Sequence, residues 1–385
     1  MTQLDPIATS RRLRAGIVGG GRGAFIGAVH RIAAELDGQA VVVAGAMSAD
    51  PERAIASARD WQLARSYDDF ATMASAEAAH PEGIDFVIIA TPNHLHYPVA
   101  KAFMDAGIHV ISDKPLALTV EEAEDLAARA AQRPVCFALT HPYSAYPLVH
   151  EARAKVDAGE LGAVRRVLVE YQQDWLREPL ENTGNKQAEW RADPARAGLG
   201  GCIGDIGTHA QHLVEYVTGL RITTLCADLT SFVPGRRLDD DANVLVRLES
   251  GAKGVLTCSQ VACGEENNLT LRVYGTRAGL EWRQQEPNTL LWKPAGEPWQ
   301  IIRTGGAYTS DFARAATRTP PGHPEGYLEA FANVYRRFFA DVRRSAAGEP
   351  LACDYPGIAE GLRGMQFIRA SVESSGRGAI WVNLP

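Results

Sequence analysis

Residues 14–18 form a short apolar run that ends on Gly19-Gly20-Gly21-Arg22-Gly23-Ala24-Phe25-Ile26-Gly27, and a helical pattern over 29–36 follows. A strand turning on glycines into a helix constrains this chain more than any other feature, because so tight a turn needs residues without a Cβ. Gly19 and Gly21 fit the first two glycines of a dinucleotide-binding turn, where pyrophosphate approaches backbone N–H groups at a helix N-terminus. The third position is open. Spacing gives Ala24 in a G-x-G-x-x-A reading, or Gly27 in a loop lengthened by three residues. Arg22, Ala24, Phe25 and Ile26 lie in the loop and at the helix start, as candidate nucleotide contacts.

The strand–helix rhythm then repeats. Residues 39–46 (QAVVVAGA) read as a second parallel strand, buried on both faces. An acid at its tip would bond both ribose hydroxyls and favour NAD, but Ser48 stands there, with Asp50 two residues later. Ser48 and Arg53 suit a 2′-phosphate while Asp50 and Glu52 repel one, so the cofactor reads as NAD or NADP. A third strand over 84–90 ends in Thr91-Pro92-Asn93-His94-Leu95-His96. A fourth, over 108–115, ends on Asp113-Lys114-Pro115, and one more spans 134–140. Ligands of open α/β sheets bind at the carboxyl ends of the strands. Lys114 stands at that edge, where an ammonium can polarise a hydroxyl or share its proton.

Length and composition narrow the class. A chain of 385 residues exceeds what one core usually organises, so two domains are expected. The net charge of −7 argues against nucleic acid or an anionic membrane as partner. No segment approaches the roughly 18 apolar residues of a membrane span. The N-terminal MTQLDPIATSRRLRAG has basic residues but no apolar core, so it does not read as a secretion signal. The six cysteines have no CxxC spacing, which suggests neither zinc nor a disulfide framework, but a reduced, cytoplasmic protein.

After residue 142 the rhythm changes. A helix is predicted over 148–158 and a half-buried strand over 165–175, where Val167, Val169 and Tyr171 alternate. Strands at 222–233, 242–249, 252–261, 268–275 and 279–283, separated by turn signals, predict an antiparallel meander with helices on one face. Helices over 325–346 and 358–374 and a short strand at 379–382 close the chain. The fold class is therefore α/β. A Rossmann dinucleotide-binding domain over 12–142 precedes an α+β domain over 143–385 with a large, mostly antiparallel open sheet.

A second constellation lies in the later half: Gly200-Gly201-Cys202-Ile203-Gly204-Asp205-Ile206-Gly207-Thr208-His209. On a helix, Asp205 and His209 would share one face, one turn apart. A carboxylate there can orient the imidazole and make it a competent base near neutral pH. His212 could pair with His209 on a metal, but no further Cys, Asp or Glu cluster joins them, and no metal is expected. Asp239-Asp240-Asp241 reads as a solvated turn.

Taken together, these residues resemble the glucose–fructose oxidoreductase / inositol dehydrogenase / rhizopine catabolism (Gfo/Idh/MocA) family. Its Glu-Lys-Pro appears as Asp113-Lys114-Pro115, and its Thr-Pro-Asn-x-x-His as Thr91-Pro92-Asn93-His94-Leu95-His96. Trp190-Arg191 looks like its Trp-Arg pair, and 200–209 like its Gly-Gly…Asp-x-Gly-x-His. The resemblance implies a nicotinamide-dependent oxidation of a ring hydroxyl, with Lys114, Asp205 and His209 at the reacting group. It places Thr91, Pro92, Asn93, His96 and Asp113 near the cofactor's ribose and nicotinamide, and Trp190-Arg191 beside the cofactor. It also implies a homo-oligomer, dimer or tetramer, joined through the open sheet. Two departures stand out: Asp113 replaces a glutamate, and the glycine loop is longer than usual.

The mechanism expected from these roles has His209 accept the hydroxyl proton, Asp205 orient His209, and Lys114 stabilise the alkoxide. Lys114 as immediate base, with His209 as relay, is the alternative. His141, Tyr143, Tyr146, Trp175 and His323 are candidate substrate contacts, able to stack on a ring or bond its hydroxyls. Arginines are scattered rather than convergent, which suits an uncharged sugar, glycoside or cyclitol. A nucleotide-binding sensor without turnover, or a reductase of an open-chain aldehyde or imine, would share the fold.

Overall fold

Two sheets carry the chain, and each starts where apolar residues run without interruption or alternate. The first holds β1 (Leu13–Gly19), β2 (Ala40–Ala46), β3 (Arg65–Ser66), β4 (Phe86–Ala90), β5 (His109–Ser112) and β6 (Phe137–Leu139). Every pairing in it is parallel and the order is β3-β2-β1-β4-β5-β6. All five residues of β4 are buried, as a central parallel strand covered on both faces requires. The strand order reverses between β1 and β4, so a crevice opens where Gly19 lies opposite Ala90. We describe residues 11–385 of this computed structural model; most of the N-terminal stretch read as lacking a secretion signal lies outside them.

Neighbouring side chains cap helices of this layer. Asp69 accepts from the Thr72 amide at 2.8 Å to start the Phe70–Ala79 helix. Thr119 and Glu122 form a capping box ahead of Val120–Gln132. Such caps are each worth about 1 kcal/mol.

The second sheet has nine strands: β7 (Val164–Gln172), β8 (Ile222–Thr230), β9 (Asp241–Leu248), β10 (Lys253–Ser259), β11 (Asn268–Gly275), β12 (Ala278–Arg283), β13 (Thr289–Pro294), β14 (Gln300–Arg303) and β15 (Val382–Asn383). Their order is β14-β13-β12-β11-β7-β10-β9-β8-β15. The expected meander is interrupted once. β7 sits between β10 and β11, parallel to the first and antiparallel to the second, with Val167, Val169 and Tyr171 buried. β13 and β14 extend the sheet beyond the strands read from the sequence.

The Tyr327–Ala347 helix comes from the far end of the chain yet covers the first sheet. Its Phe331, Tyr335, Phe338 and Phe339 share a core with Phe86, Val29 and Ile88. Phe86 meets Phe338 edge-on at 5.4 Å. Each buried ring contributes about 2 kcal/mol, so this helix ties the two halves together.

The acid run corrects an expectation. Asp239 and Asp240 are not a solvated turn. Asp239 accepts the Gly201 and Ile203 amides at 2.7 Å each, and Asp240 pairs with Arg236 at 3.0 Å while wholly buried. Burial raises the Asp239 carboxyl to about 6, against the pull of those two amides. Unpaired amides at 201–203 would be costly in the interior, and Asp239 satisfies them.

Candidate active site

The carboxyl ends of β1, β4 and β5 stand side by side and open a groove of about 630 Å³. Its floor is the glycine turn. A Cβ on Gly21 would lie 2.6 Å from the Met47 carbonyl oxygen, and one on Gly27 would lie 2.4 Å from Gly20 Cα. Gly27, rather than Ala24, is thus the glycine that lets the helix pack on the turn. Ala24 caps the Phe25–Glu35 helix without a side-chain acceptor, and its first turn holds no acid. Free N–H groups and an uncrowded backbone fit a pyrophosphate. Thr91 lines the groove with a buried hydroxyl that has no partner among the described residues.

The remaining nucleotide candidates divide. Ser48, Arg53, Pro92, Asn93, Trp190 and Arg191 line the groove with Gly19 and Gly21. Asp50 instead caps the Pro51–Asp60 helix by accepting the Arg53 amide at 2.9 Å. Arg22 lines the groove, but its guanidinium forks onto Asp60 at 2.5 and 2.7 Å. Two expectations need correction. His96 is buried behind the wall, its ring nitrogens 2.6 Å from the Pro115 carbonyl and 2.9 Å from that of Thr91, so it braces the two strand ends. Phe25 is exposed on the neighbouring cavity because the helix starts there, turning its side chain off the groove.

That cavity, of about 670 Å³, shares Ile26, Asp113, Lys114, Gln187, Arg191 and Asp205 with the groove. Asp113 Oδ1 accepts the Lys114 amide at 2.9 Å and the Thr140 hydroxyl at 2.9 Å, which anchors the turn after β5. Lys114 Nζ donates to Asp205 Oδ1 at 2.8 Å and to the Asp205 carbonyl at 2.6 Å. Asp205 Oδ2 accepts from Arg191 Nε at 3.2 Å and from buried Gln260 Nε2 at 2.9 Å. Burial would push this carboxyl up, but Lys114 and then Arg191 outweigh it and hold it well below the usual carboxylate range. Arg191 is itself stacked 4.1 Å over Trp190 and 5.7 Å from Trp175. Asp205 is a fixed anion.

The expected Asp205–His209 pair is not made. Residues Ile203–Gly207 wind as a π-helix before Thr208–Thr218 continues as α-helix, so the i,i+4 alignment is lost. Two cations also compete for the carboxylate. The described hydrogen bond of His209 runs from its Nδ1 to Nδ1 of His141 at 3.3 Å, with the rings at 88°. Burial first, and then Lys114, push His209 well below the ordinary histidine value, with Asp205 pulling the other way. The ring is therefore neutral at pH 7 and able to accept a proton.

The rest of the cavity wall comes largely from neutral polar residues that carry little sequence signal. Tyr143 and Tyr171 hydroxyls lie 2.5 Å apart, Tyr171 donates to Asn267 Oδ1 at 2.8 Å, and Asn267 Nδ2 returns to Tyr143 at 3.2 Å. Gln173 donates to Asn267 at 2.7 Å and accepts from Trp175 Nε1 at 3.1 Å. Asn185, Gln187 and Gln284 complete a wall of neutral carboxamides, with Tyr327 and Phe331 adding apolar surface. Amides have no spacing rule, so none of the carboxamides was foreseen, whereas Tyr143 and Trp175 were named as candidates and Tyr171 was visible as a buried strand position.

Three of the five substrate candidates lie elsewhere. Tyr146 is buried against Trp282 at 5.3 Å, on the far side of Tyr143. His141 lies behind His209 rather than on the wall, stacked 4.3 Å from His212. His323 is exposed in its loop, its ring 3.3 Å from the Pro320 carbonyl. Tyr143 and Trp175 do line the cavity. Among the described residues, no group of three or more His, Cys, Asp or Glu side chains could hold a metal ion.

Comparison with known proteins follows the same division. The oxidoreductase family with NAD-binding Rossmann fold matches residues 13–141, and the GFO/IDH/MocA C-terminal domain matches 149–281. An oxidoreductase structure from Sinorhizobium meliloti is 48% identical, covering 97% of this chain and 100% of its own, with a TM-score of 0.88. An inositol dehydrogenase homolog from Azotobacter vinelandii, complexed with NADH and myo-inositol, is 35% identical over 97% and 98% of the two chains, with a TM-score of 0.89. Levoglucosan dehydrogenase of Pseudarthrobacter phenanthrenivorans is 26% identical over 97% and 99%. With its NAD-binding Rossmann half, its C-terminal domain and its whole-length relatives in agreement, the chain belongs to the Gfo/Idh/MocA family of NAD-dependent sugar- and inositol-type oxidoreductases.

Proposed function

We propose that this enzyme oxidises a secondary ring hydroxyl of a neutral sugar, glycoside or cyclitol, with NAD as the hydride acceptor. The observation that carries this reading is the cavity wall: uncharged Gln173, Asn185, Gln187, Asn267 and Gln284 beside a fixed Lys114–Asp205 pair. Each carboxamide both donates and accepts, as a ring hydroxyl does, and each is neutral. Relatives named for inositol and levoglucosan point the same way.

When bound, NAD supplies the site that takes the hydride. The residues do the rest. Lys114 directs an N–H at the substrate oxygen while Asp205 holds its other donors, so developing alkoxide charge meets a preorganised cation. Neutral His209 takes the hydroxyl proton. Asp205 serves Lys114 rather than His209. Arg22 is paired with Asp60, Arg236 with Glu181 and Asp240, and Arg237 with Asp193, so carboxylates of the chain itself already occupy them. Exposed Leu245, Ile301 and Trp381 on the open sheet suit a homo-oligomer, and free cysteines suit a cytoplasmic setting.

The test follows NADH formation with inositols, anhydrosugars and glycosides, each beside an anionic analogue. We expect turnover of a neutral ring with little dependence on ionic strength. A kcat/KM far higher for the anionic analogue, collapsing in salt, would reject the neutral-substrate reading.

A further inference from the structure

The His209–His141 contact has a consequence for proton bookkeeping. Two Nδ1 atoms 3.3 Å apart form a hydrogen bond only if one carries a proton and the other does not. His209 lines the cavity and His141 does not, so the nitrogen that His209 turns to substrate is Nε2. To accept a proton there, Nε2 must be bare and Nδ1 protonated. His141 must then offer a bare Nδ1 and keep its own proton on Nε2.

His141 is placed firmly for that task. Its amide donates to the Leu139 carbonyl at 2.9 Å, and its carbonyl accepts the Ser144 hydroxyl at 2.9 Å. Because Ser144 donates there, it can only accept from His212 Nε2 at 3.1 Å. His212 in turn lies flat against the His141 ring, 28° from parallel. This buried frame holds one imidazole against another.

We propose that His141 is a positioning residue that selects the tautomer and orientation of His209, the role the sequence pattern assigns to Asp205. The inference rests on the reading of His209 as proton acceptor. A neutral orienter differs from a carboxylate in one respect: it fixes the base without strengthening it. The titratable and charged groups facing the pair are Lys114, Asp205, His212, Tyr143 and Tyr171. The one carboxylate among them is already bound by Lys114 and Arg191. Activity should therefore persist below pH 6.5, with the acid limb of kcat/KM under the ordinary histidine value.

The test compares His141→Leu, His141→Asn and His141→Asp in the full-length enzyme, using pH profiles of kcat/KM and NAD-induced shifts in Tm. The amide oxygen of His141→Asn can still accept from His209 Nδ1, so it should stay within about threefold of wild type. His141→Leu should lose about 10–100-fold in kcat while retaining the NAD shift. His141→Asp should move the acid limb upward by about one pH unit or more, since an anion favours the imidazolium. If the aspartate variant does not fold, the leucine–asparagine contrast decides alone. Wild-type kcat and pH profile in His141→Leu, or equal damage in leucine and asparagine variants, would overturn the proposal. Full turnover by His209→Ala would instead overturn the proton-acceptor reading beneath it, and this inference with it.

Discussion

The glycine-floored groove and the proposed substrate cavity touch along one wall but are built differently. The groove floor comes from nine consecutive residues, Gly19 to Gly27, and works through missing side chains and backbone N–H groups. The cavity is assembled from side chains far apart in sequence: Lys114 meets Asp205 across 91 residues, and Tyr143 meets Asn267 across 124. A backbone cradle suits a cofactor common to a family, whereas a wall of side chains can be exchanged residue by residue. The relatives fit this division. Two solved structures of the fold hold NADH with different polyols, myo-inositol in one and levoglucosan in the other.

The sharpest way to break that comparison is to remove Lys114, which lines both spaces. Lys114→Ala should reduce kcat by about 10²–10⁴ while a Tm shift with NAD persists. His209→Ala, touching the cavity alone, should behave similarly. Loss of NAD binding in Lys114→Ala would mean that groove and cavity are one site in energetic terms.

A reciprocal change lies in the groove. Gly27→Val places branched carbons where even a Cβ would be 2.4 Å from Gly20 Cα. The helix must lift from the turn, at a cost of about 1–3 kcal/mol, and NAD affinity should fall by at least tenfold. At saturating NAD, kcat should change much less. Equal losses in affinity and kcat, from titrations and initial rates, would break the separation.

The smallest expected effects sharpen the map by their absence. His323→Ala and Tyr146→Phe should each leave kcat/KM within about twofold, since neither side chain lines the cavity and exposed or conservative changes rarely matter. A tenfold rise in KM for either would move the substrate site toward the β12–β14 edge.

Much of this fold could be read locally. The glycine turn, the buried β4 and the Lys114 strand end each follow from patterns within about ten residues. Failures came where partners are distant. Asp205 and His209 share the spacing of a helical pair, yet a π-turn and two competing cations separate them. Asp239 and Asp240 look like any surface acid run until the amides at 201–203 and the Arg236 guanidinium require them inside.

By itself, then, the sequence determined the parallel nucleotide-binding layer, the mostly antiparallel second sheet and the identity of the titratable groups. Periodicity, glycine placement and side-chain chemistry are properties of neighbouring residues. Only the tertiary structure decided who holds whom: Asp205 on Lys114, Arg191 and Gln260, and His141 on His209. It also decided that a C-terminal helix would close the N-terminal core. Those pairings depend on how segments far apart in sequence pack together, and on the outcome of competition among buried charges for few partners. That competition has no signature in local sequence, because its energy arises from desolvation and distance.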